Sequence, residues 1–368
     1  MKHADVLLTG GLGYLGSVLT ERLIKMGYRV RVVDRLLYGD DALRTLRHDF
    51  DFEFVNCDVR DLPKLQAAIE HCESVVHLAA IVGDPACNIN KELAWDINYN
   101  ATLELAHVAR KSNVHRMIFA SSCSVYGNAS GVVSEEARLN PLSLYAESRA
   151  RSERELSRLA GEEMWVTSMR MGTLYGPSRR MRFDLVANLF AANAATSRIV
   201  TVEGGQQWRP FLHVSDAADA YAAALEATEL NAFEIFNVGG DNGNHRIIDL
   251  AEVVKRCEPE VEVRVASKLQ DHRNYNVSFK KIREKLGFRP RLGVRDGVSR
   301  ILDAFKRGDY SDFPHQKYSN VETIKTSSGL LALTQIGPQS PAAPGHRMVA
   351  DNTGRTWLLQ KSKNGKHD

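Results

Sequence analysis

The chain predicts an α/β fold: a doubly wound, Rossmann-type parallel sheet with a smaller α/β lobe interleaved into it. Three observations carry this. Short apolar runs alternate with longer amphipathic segments through the first half of the chain. Those runs are continuously apolar instead of alternating, as strands buried on both faces are. A glycine-rich turn directly follows the first run. At 368 residues the chain is long enough for two packed units, expected at 1–175 and 176–315, with 316–368 as a flexible tail.

The elements follow in order. A strand is expected over Asp5 to Thr9, a helix over Tyr14 to Met26, and strands over Arg29 to Asp34 and Phe52 to Asn56. A helix from Leu62 to Cys72 and a strand from Ser74 to Leu78 come next, then a helix from Leu93 to Lys111. Met117 to Ala120 and Trp165 to Met169 read as strands flanking a helix from Leu142 to Leu159. Strands alternating with helices in this way imply crossovers and a parallel sheet. After Gly176-Pro177 the pattern loosens. Helices are expected near Asp184 to Ala195, Ser215 to Thr228, Ile248 to Arg256 and Val294 to Phe305, with short strands such as Ile199 to Val202, Glu234 to Val238 and Val261 to Val265. From Asp309 the periodicity fades, and Ser327 to Gly345 is rich in Ser, Gly, Pro and Gln. In that tail Trp357-Leu358-Leu359 is the one run apolar enough to dock.

Composition excludes whole classes of function. Forty-eight Lys and Arg stand against 45 Asp and Glu, a formal charge of +3, far from the one-sided basic surface that nucleic acid needs. No run of about 18 apolar residues occurs, and Met1 leads straight into the first strand, so a soluble cytoplasmic protein with no membrane partner is expected. Five scattered cysteines, without a C-x-x-C pair, indicate neither disulfides nor a metal site.

The turn Thr9-Gly10-Gly11-Leu12-Gly13-Tyr14-Leu15-Gly16 joins the first strand to an amphipathic helix. Glycines let the backbone approach a pyrophosphate, which sits where unpaired N–H groups point outward at the helix start. Asp34 ends the second strand, where a carboxylate accepts both ribose hydroxyls and repels a 2′-phosphate. That favours NAD. Arg35 beside it either holds a 2′-phosphate or is a solvated strand-end charge.

The G-x-x-G-x-x-G spacing resembles the extended short-chain dehydrogenase/reductase family, of NAD-dependent epimerase/dehydratase type, whose members mostly act on nucleotide-linked sugars. Other segments agree: Asp58-Val59, His77-Leu78-Ala79-Ala80, Ser121-Ser122-Cys123-Ser124-Val125-Tyr126-Gly127 and Tyr145-Ala146-Glu147-Ser148-Arg149. The resemblance runs from Val6 to about Tyr310. It implies that Gly10, Gly13, Tyr14, Leu15 and Gly16 hold the cofactor diphosphate and that Asp34, Arg35, Asp58 and Val59 surround the adenosine. Leu78, Ala79, Ala80, Asn98, Ser121, Tyr145 and Arg149 complete the cofactor set. The unit 1–175 is then the NAD-binding domain and 176–315 the substrate lobe.

Oxidising a carbinol requires a base for the hydroxyl proton. Tyr145 is the candidate, with Arg149 one helical turn on to lower the phenol pKa, and Ser122 to orient the same oxygen. Arg149 stands where the family has Lys; the charge is kept and the geometry changes. In relatives that dehydrate sugars, Asp and Glu follow the catalytic Thr; here Cys123 and Ser124 follow Ser122. Cys123 is one residue out of register with the acid/base Cys of other members, and reads best as a buried apolar residue.

Substrate contacts are expected from Ser122, Cys123, Ser124, Asp84, Thr173, Arg182, Arg209 and Arg273. Arg209 lies in a segment resembling the one whose Arg grips the diphosphate, and Arg273 resembles the second such contact. The run Arg179-Arg180-Met181-Arg182 reads as a solvated loop, with a phosphate or sugar-carboxylate contact as the alternative. Thr173 replaces the Asn common in relatives. Around Asp84 and Asn88 a pocket border and a simple turn are equally supported.

The expected activity is therefore epimerisation of a nucleotide-diphosphate sugar, at C4, by transient oxidation to a keto-sugar and hydride return. The rivals are 4,6-dehydration, decarboxylation or 4-ketoreduction on the same scaffold, and a non-catalytic NAD(H)-binding sensor. The helices over Leu93 to Lys111 and Leu142 to Leu159 pair across a dimer in this family, so a homodimer is expected.

Overall fold

The computed structural model describes residues 4–49, 51–266, 271–326 and 334, with the backbone of 346–350 and 356–360. Seven strands form the central sheet: β1 (Ala4–Thr9), β2 (Val30–Asp34), β3 (Phe52–Asn56), β4 (Cys72–His77), β5 (Arg116–Ser122), β6 (Trp165–Met171) and β7 (Phe233–Val238). They lie in the order β7-β6-β5-β4-β1-β2-β3, with every neighbouring pair parallel. The chain order reverses between β1 and β4, and the loops leaving those two strands diverge to open a crevice. Thr9 lies beside both Val33 and His77 at that point.

Alternation along each strand decides which helices cover which face. Val6 and Leu8 point to the side packed by α1 (Tyr14–Lys25) and α4 (Val214–Glu226), through Leu19, Leu23, Ala217 and Tyr221. Leu7 and Phe119 point to the other side, under Leu105 of α2 (Ala101–Lys111) and Leu156 of α3 (Leu144–Leu159). Both faces are buried, as continuous apolar strands require.

The smaller lobe has its own core, in which Phe190, Val200, Leu250, Val254, Val298 and Ile301 pack between helices Val186–Thr196, Ile247–Cys257 and Val294–Arg307. A three-stranded sheet of Thr173–Tyr175, Trp208–His213 and Asn244–Arg246 forms its floor. β7 comes from within the stretch expected as this lobe, so the chain leaves the main sheet after β6 and returns to it.

Two expectations change. The helix expected from Leu93 is broken: Lys91–Trp95 leads into a π-turn, Asp96–Asn100, before α2 begins. The flexible tail does not start at 316. Gln316–Tyr318 is a 3₁₀ turn and Asn320–Lys325 a helix, with Tyr318, Asn320 and Ile324 buried. Tyr318 anchors them because its ring packs 5.1 Å from that of Phe183 and 5.9 Å from that of Tyr310, so burial of aromatic surface outweighs the ordering cost. Ser327 to Gly345 lies outside the described residues apart from Thr334. Trp357-Leu358-Leu359 falls in a strand, Thr356–Gln360, paired antiparallel with His346–Ala350. Among the described residues, no helix is long and apolar enough to cross a membrane, and no His, Cys, Asp and Glu group could hold a metal.

Candidate active site

A cleft of about 830 Å³ runs from the start of α1, past the ends of β2 and β4, to the smaller lobe. At its first end the glycine turn is a tight cradle. A Cβ on Gly10 would lie 2.8 Å from the Ala79 nitrogen, and one on Gly16 only 2.1 Å from the Gly10 carbonyl oxygen. α1 starts at Gly13 with no side-chain cap, leaving its first-turn N–H groups facing the cleft beside Tyr14 and Leu15. Asp34 is set at the mouth of β2 by two amides: Leu12 N donates to Oδ2 at 3.1 Å and Leu36 N to Oδ1 at 2.9 Å. Burial raises its pKa against those donors.

Arg35 turns to Asp58, which also receives Arg60 Nε and Nη2, each at 2.9 Å. Burial tends to raise the Asp58 pKa, but Arg60 and Arg35 outweigh it and hold the carboxyl below its usual range. Arg35 is therefore an ion-paired residue on the cleft wall and not a solvated charge. Val59 and the turn Leu78, Ala79 and Ala80 line the same wall. That turn is fixed from behind, where Thr9 Oγ1 accepts from Ala79 N at 3.3 Å and bonds His77 Nδ1 at 2.7 Å. A dinucleotide fits this half: close backbone for a diphosphate, a carboxylate for ribose, an apolar wall.

In the middle of the cleft Tyr145 and Arg149 face one another along α3. The Arg149 guanidinium carbon stands 5.3 Å from the Tyr145 ring centroid and 5.1 Å from that of Phe119. Its Nη1 donates to Ala120 O at 3.2 Å and Nη2 to Asn98 O at 3.0 Å, while Nε has no hydrogen-bond partner among the described residues. The expected lowering of the Tyr145 pKa is corrected: burial pushes the phenol up and Arg149 only opposes it. Ser122 lines the cleft and accepts from Ser124 N at 3.1 Å, capping the 3₁₀ turn Cys123–Tyr126. Ser124 Oγ, also on the cleft wall, has no partner among the described residues.

Two expected site residues, Cys123 and Asn98, turn away. Cys123, 1% exposed, donates through Sγ to Arg170 O at 3.1 Å, behind the sheet end, and its thiol pKa is raised by burial. The 3₁₀ turn rotates it out of the cleft and Ser124 into it. Ser121 does line the cleft, with its hydroxyl tied back to Glu153 Oε1 at 2.5 Å beside the buried Glu153–Arg170 ion pair. The Asn98 amide closes on Ile81, accepting from its N at 2.8 Å and donating to its O at 2.9 Å. It braces the wall without facing the cleft.

At the far end Arg209 and Arg273 share Asp271, at 2.9 and 2.7 Å, and Arg273 also reaches Asp84 at 2.9 Å. Burial tends to raise the Asp271 pKa, but Arg273 and Arg209 bring it down to about 2. Thr173 lines the wall nearby. Arg182 lines the cleft but is held by Asp184 at 2.8 Å. Arg180, in the run read as a solvated loop or a phosphate or sugar-carboxylate contact, lines the cleft as well, and so do Tyr38 and Asn320, which sequence reasoning missed. The aromatic residues around 310–318 were the signal for Asn320.

The model of the NAD dependent epimerase/dehydratase family matches residues 6–239. The chain belongs to that family. A UDP-glucose 4-epimerase of Mycolicibacterium smegmatis is 27% identical over 309 residues, 82% of this chain and 98% of its own length. A dTDP-glucose 4,6-dehydratase of Actinoplanes sp. is 30% identical over 315 residues, 81% and 96% of the two. Among solved structures, the Thermus thermophilus UDP-glucose 4-epimerase in complex with NAD superposes with a TM-score of 0.71 at 26% identity, covering 82% of this chain and 98% of that one.

Proposed function

We propose that the chain is an NAD-dependent epimerase of a nucleotide-diphosphate sugar, acting at C4 through a transient ketone. The observation that carries this is the pairing at mid-cleft: Tyr145 and Arg149 share a wall with Ser122 and Ser124, and the thiol of Cys123 is turned out of it. One proton-transfer group thus serves the cleft at this point. Dehydration needs a second acid/base pair beyond the base that serves oxidation.

When bound, NAD would supply the hydride acceptor and, once reduced, the hydride donor. Tyr145 would take the C4 hydroxyl proton when C4 gives up its hydride, and would return it to that oxygen when the same hydride comes back to the opposite face of C4, so that no net oxidation results. Ser122 and Ser124 hold that oxygen. Arg149 opposes, without outweighing, the burial that raises the Tyr145 pKa. Gly10, Gly13, Tyr14, Leu15 and Gly16 cradle the cofactor diphosphate and Asp34 its ribose. Arg209 and Arg273 grip the substrate diphosphate, exchanging Asp271 for phosphate oxygens, while Asp84 and Thr173 border the sugar. A cytoplasmic homodimer completes the reading, with the α2 and α3 side of the sheet as its interface.

Proton NMR in D2O, with NAD and a panel of UDP-, dTDP-, GDP-, CDP- and ADP-sugars, tests it. Interconversion of two C4 epimers without solvent deuterium in the product is expected. A deoxy-keto product carrying deuterium, or no conversion across the panel while NAD binds, overturns it.

A further inference from the structure

We propose that Arg180 is a contact to the cofactor diphosphate, supplied from the smaller lobe across the cleft from the glycine turn. The inference rests on the NAD reading of the crevice and adds a residue to it.

The first observation is an unengaged buried cation. Arg180 is 6% exposed and lines the cleft, and its Nε and Nη2 have no hydrogen-bond partner among the described residues. Its guanidinium carbon lies 4.0 Å from the centroid of the Tyr38 ring, which fixes the plane of the fork without using its donors. A buried charge left in this state is unfavourable until an anion reaches it.

The second observation is where the loop is tied. Ser178 Oγ donates to Tyr14 O at 2.6 Å and lies 3.1 Å from Ser17 Oγ, while Tyr14 OH donates to Gly176 O at 2.6 Å. The loop carrying Arg180 is thus fastened to the first turn of α1, whose N–H groups receive a diphosphate.

The third is charge. Groups acting on Arg180 are Arg182, Asp184, Asp34 and Tyr38. Asp184 is engaged elsewhere, taking Arg182 Nε and Nη2 at 2.8 and 3.1 Å and Asn320 N at 2.9 Å. Asp34 is held by Leu12 and Leu36 at the ribose position. Burial and Arg182 lower the Arg180 pKa to about 10, which leaves it charged at neutral pH. Arg209 and Arg273, by contrast, sit with Asp271 and Asp84 at the other end of the cleft. Arg180 therefore faces the cofactor's phosphates and not the substrate's.

The test uses full-length protein stripped of nucleotide, titrated calorimetrically with NAD, ADP-ribose, adenosine and UDP, for the parent, Arg180→Met and Arg180→Lys. Arg180→Met is expected to weaken NAD and ADP-ribose alike by at least about tenfold, a loss of one charge-assisted contact. Adenosine and UDP should stay within about twofold, and Arg180→Lys should recover part of the loss. The stripped Arg180→Met protein should melt no lower than the parent, because an unpartnered buried cation has been removed. Where that variant does not fold, Arg180→Gln carries the same expectations. Unchanged NAD and ADP-ribose binding, loss confined to UDP, or an equal loss for adenosine each overturns the proposal. A parent that binds none of the adenine ligands overturns the cofactor reading itself.

Discussion

Arg149 and Tyr145 show how far spacing alone reaches. Their i, i+4 placement was legible, and so was the charge; the balance of forces on the phenol was not, because burial is a property of the packed cleft. Replacing Tyr145 with Phe is expected to cut turnover by about 10²–10⁴-fold with NAD binding retained, measured by product NMR and calorimetry. Arg149→Lys should retain turnover and NAD binding. Arg149→Met removes the charge that opposes burial most strongly, so the phenol pKa rises further. Since the base acts when deprotonated, the rising limb of the kcat/KM profile should move to higher pH; an unmoved limb would exclude Arg149 from tuning Tyr145. Cys123 was misplaced because the 3₁₀ turn after β5 rotates successive side chains by about a third of a turn, so strand alternation gives the wrong face. Asn98 was misplaced because it sits in the π-turn ahead of α2, a break that helical spacing does not reveal. Cys123→Ala should leave turnover within about threefold, with the hydroxyl of Ser124 still on the wall.

At the level of elements, the glycine turn and the strands were readable because their causes are local. Gly16 can carry no Cβ beside the Gly10 carbonyl, so Gly16→Ala should abolish NAD binding in calorimetry and lower the melting temperature. The 316–325 segment was not readable, since its anchor is a tertiary cluster. Phe183 meets Tyr310, Phe313 and Tyr318 edge-to-face and Phe305 at a tilt, at centroid distances between 5.0 and 5.4 Å. Phe183→Ala is expected to cost about 3–5 kcal/mol in denaturant unfolding. It should also speed hydrogen exchange of 316–325 more than that of β1. Uniform loss across both would place Phe183 in the common core alone. The outer face of α3 carries Glu147–Arg151 and Glu155–Arg158 ion pairs, so a dimer through it would be largely polar. Light scattering at twice the chain mass is the expected result.

Across the whole molecule, two buried imidazoles set an acid limit. Burial, with Arg149, lowers the pKa of His77 to about 3, and burial with Arg300 lowers that of His213 to about 4. Both titrate near 6.5 when unfolded. The unfolded chain therefore takes up more protons below about pH 6.5, so stability is full above that value and falls progressively towards pH 4. Melting temperatures should decline over that window; a flat profile from pH 7 to 5 would contradict neutral buried imidazoles. The return of the chain to the main sheet was foreseeable only as interleaving, because which strand closes an edge depends on contacts distant in sequence. That return also has a temporal meaning. On the ribosome β6 emerges well before β7, and at about 5–20 residues per second the wait lasts several seconds. Throughout it β6 is an unpaired apolar edge, a template for pairing with another nascent chain. Slowing or stalling synthesis between Met171 and Phe233 should therefore lower soluble yield more than a stall placed after Val238.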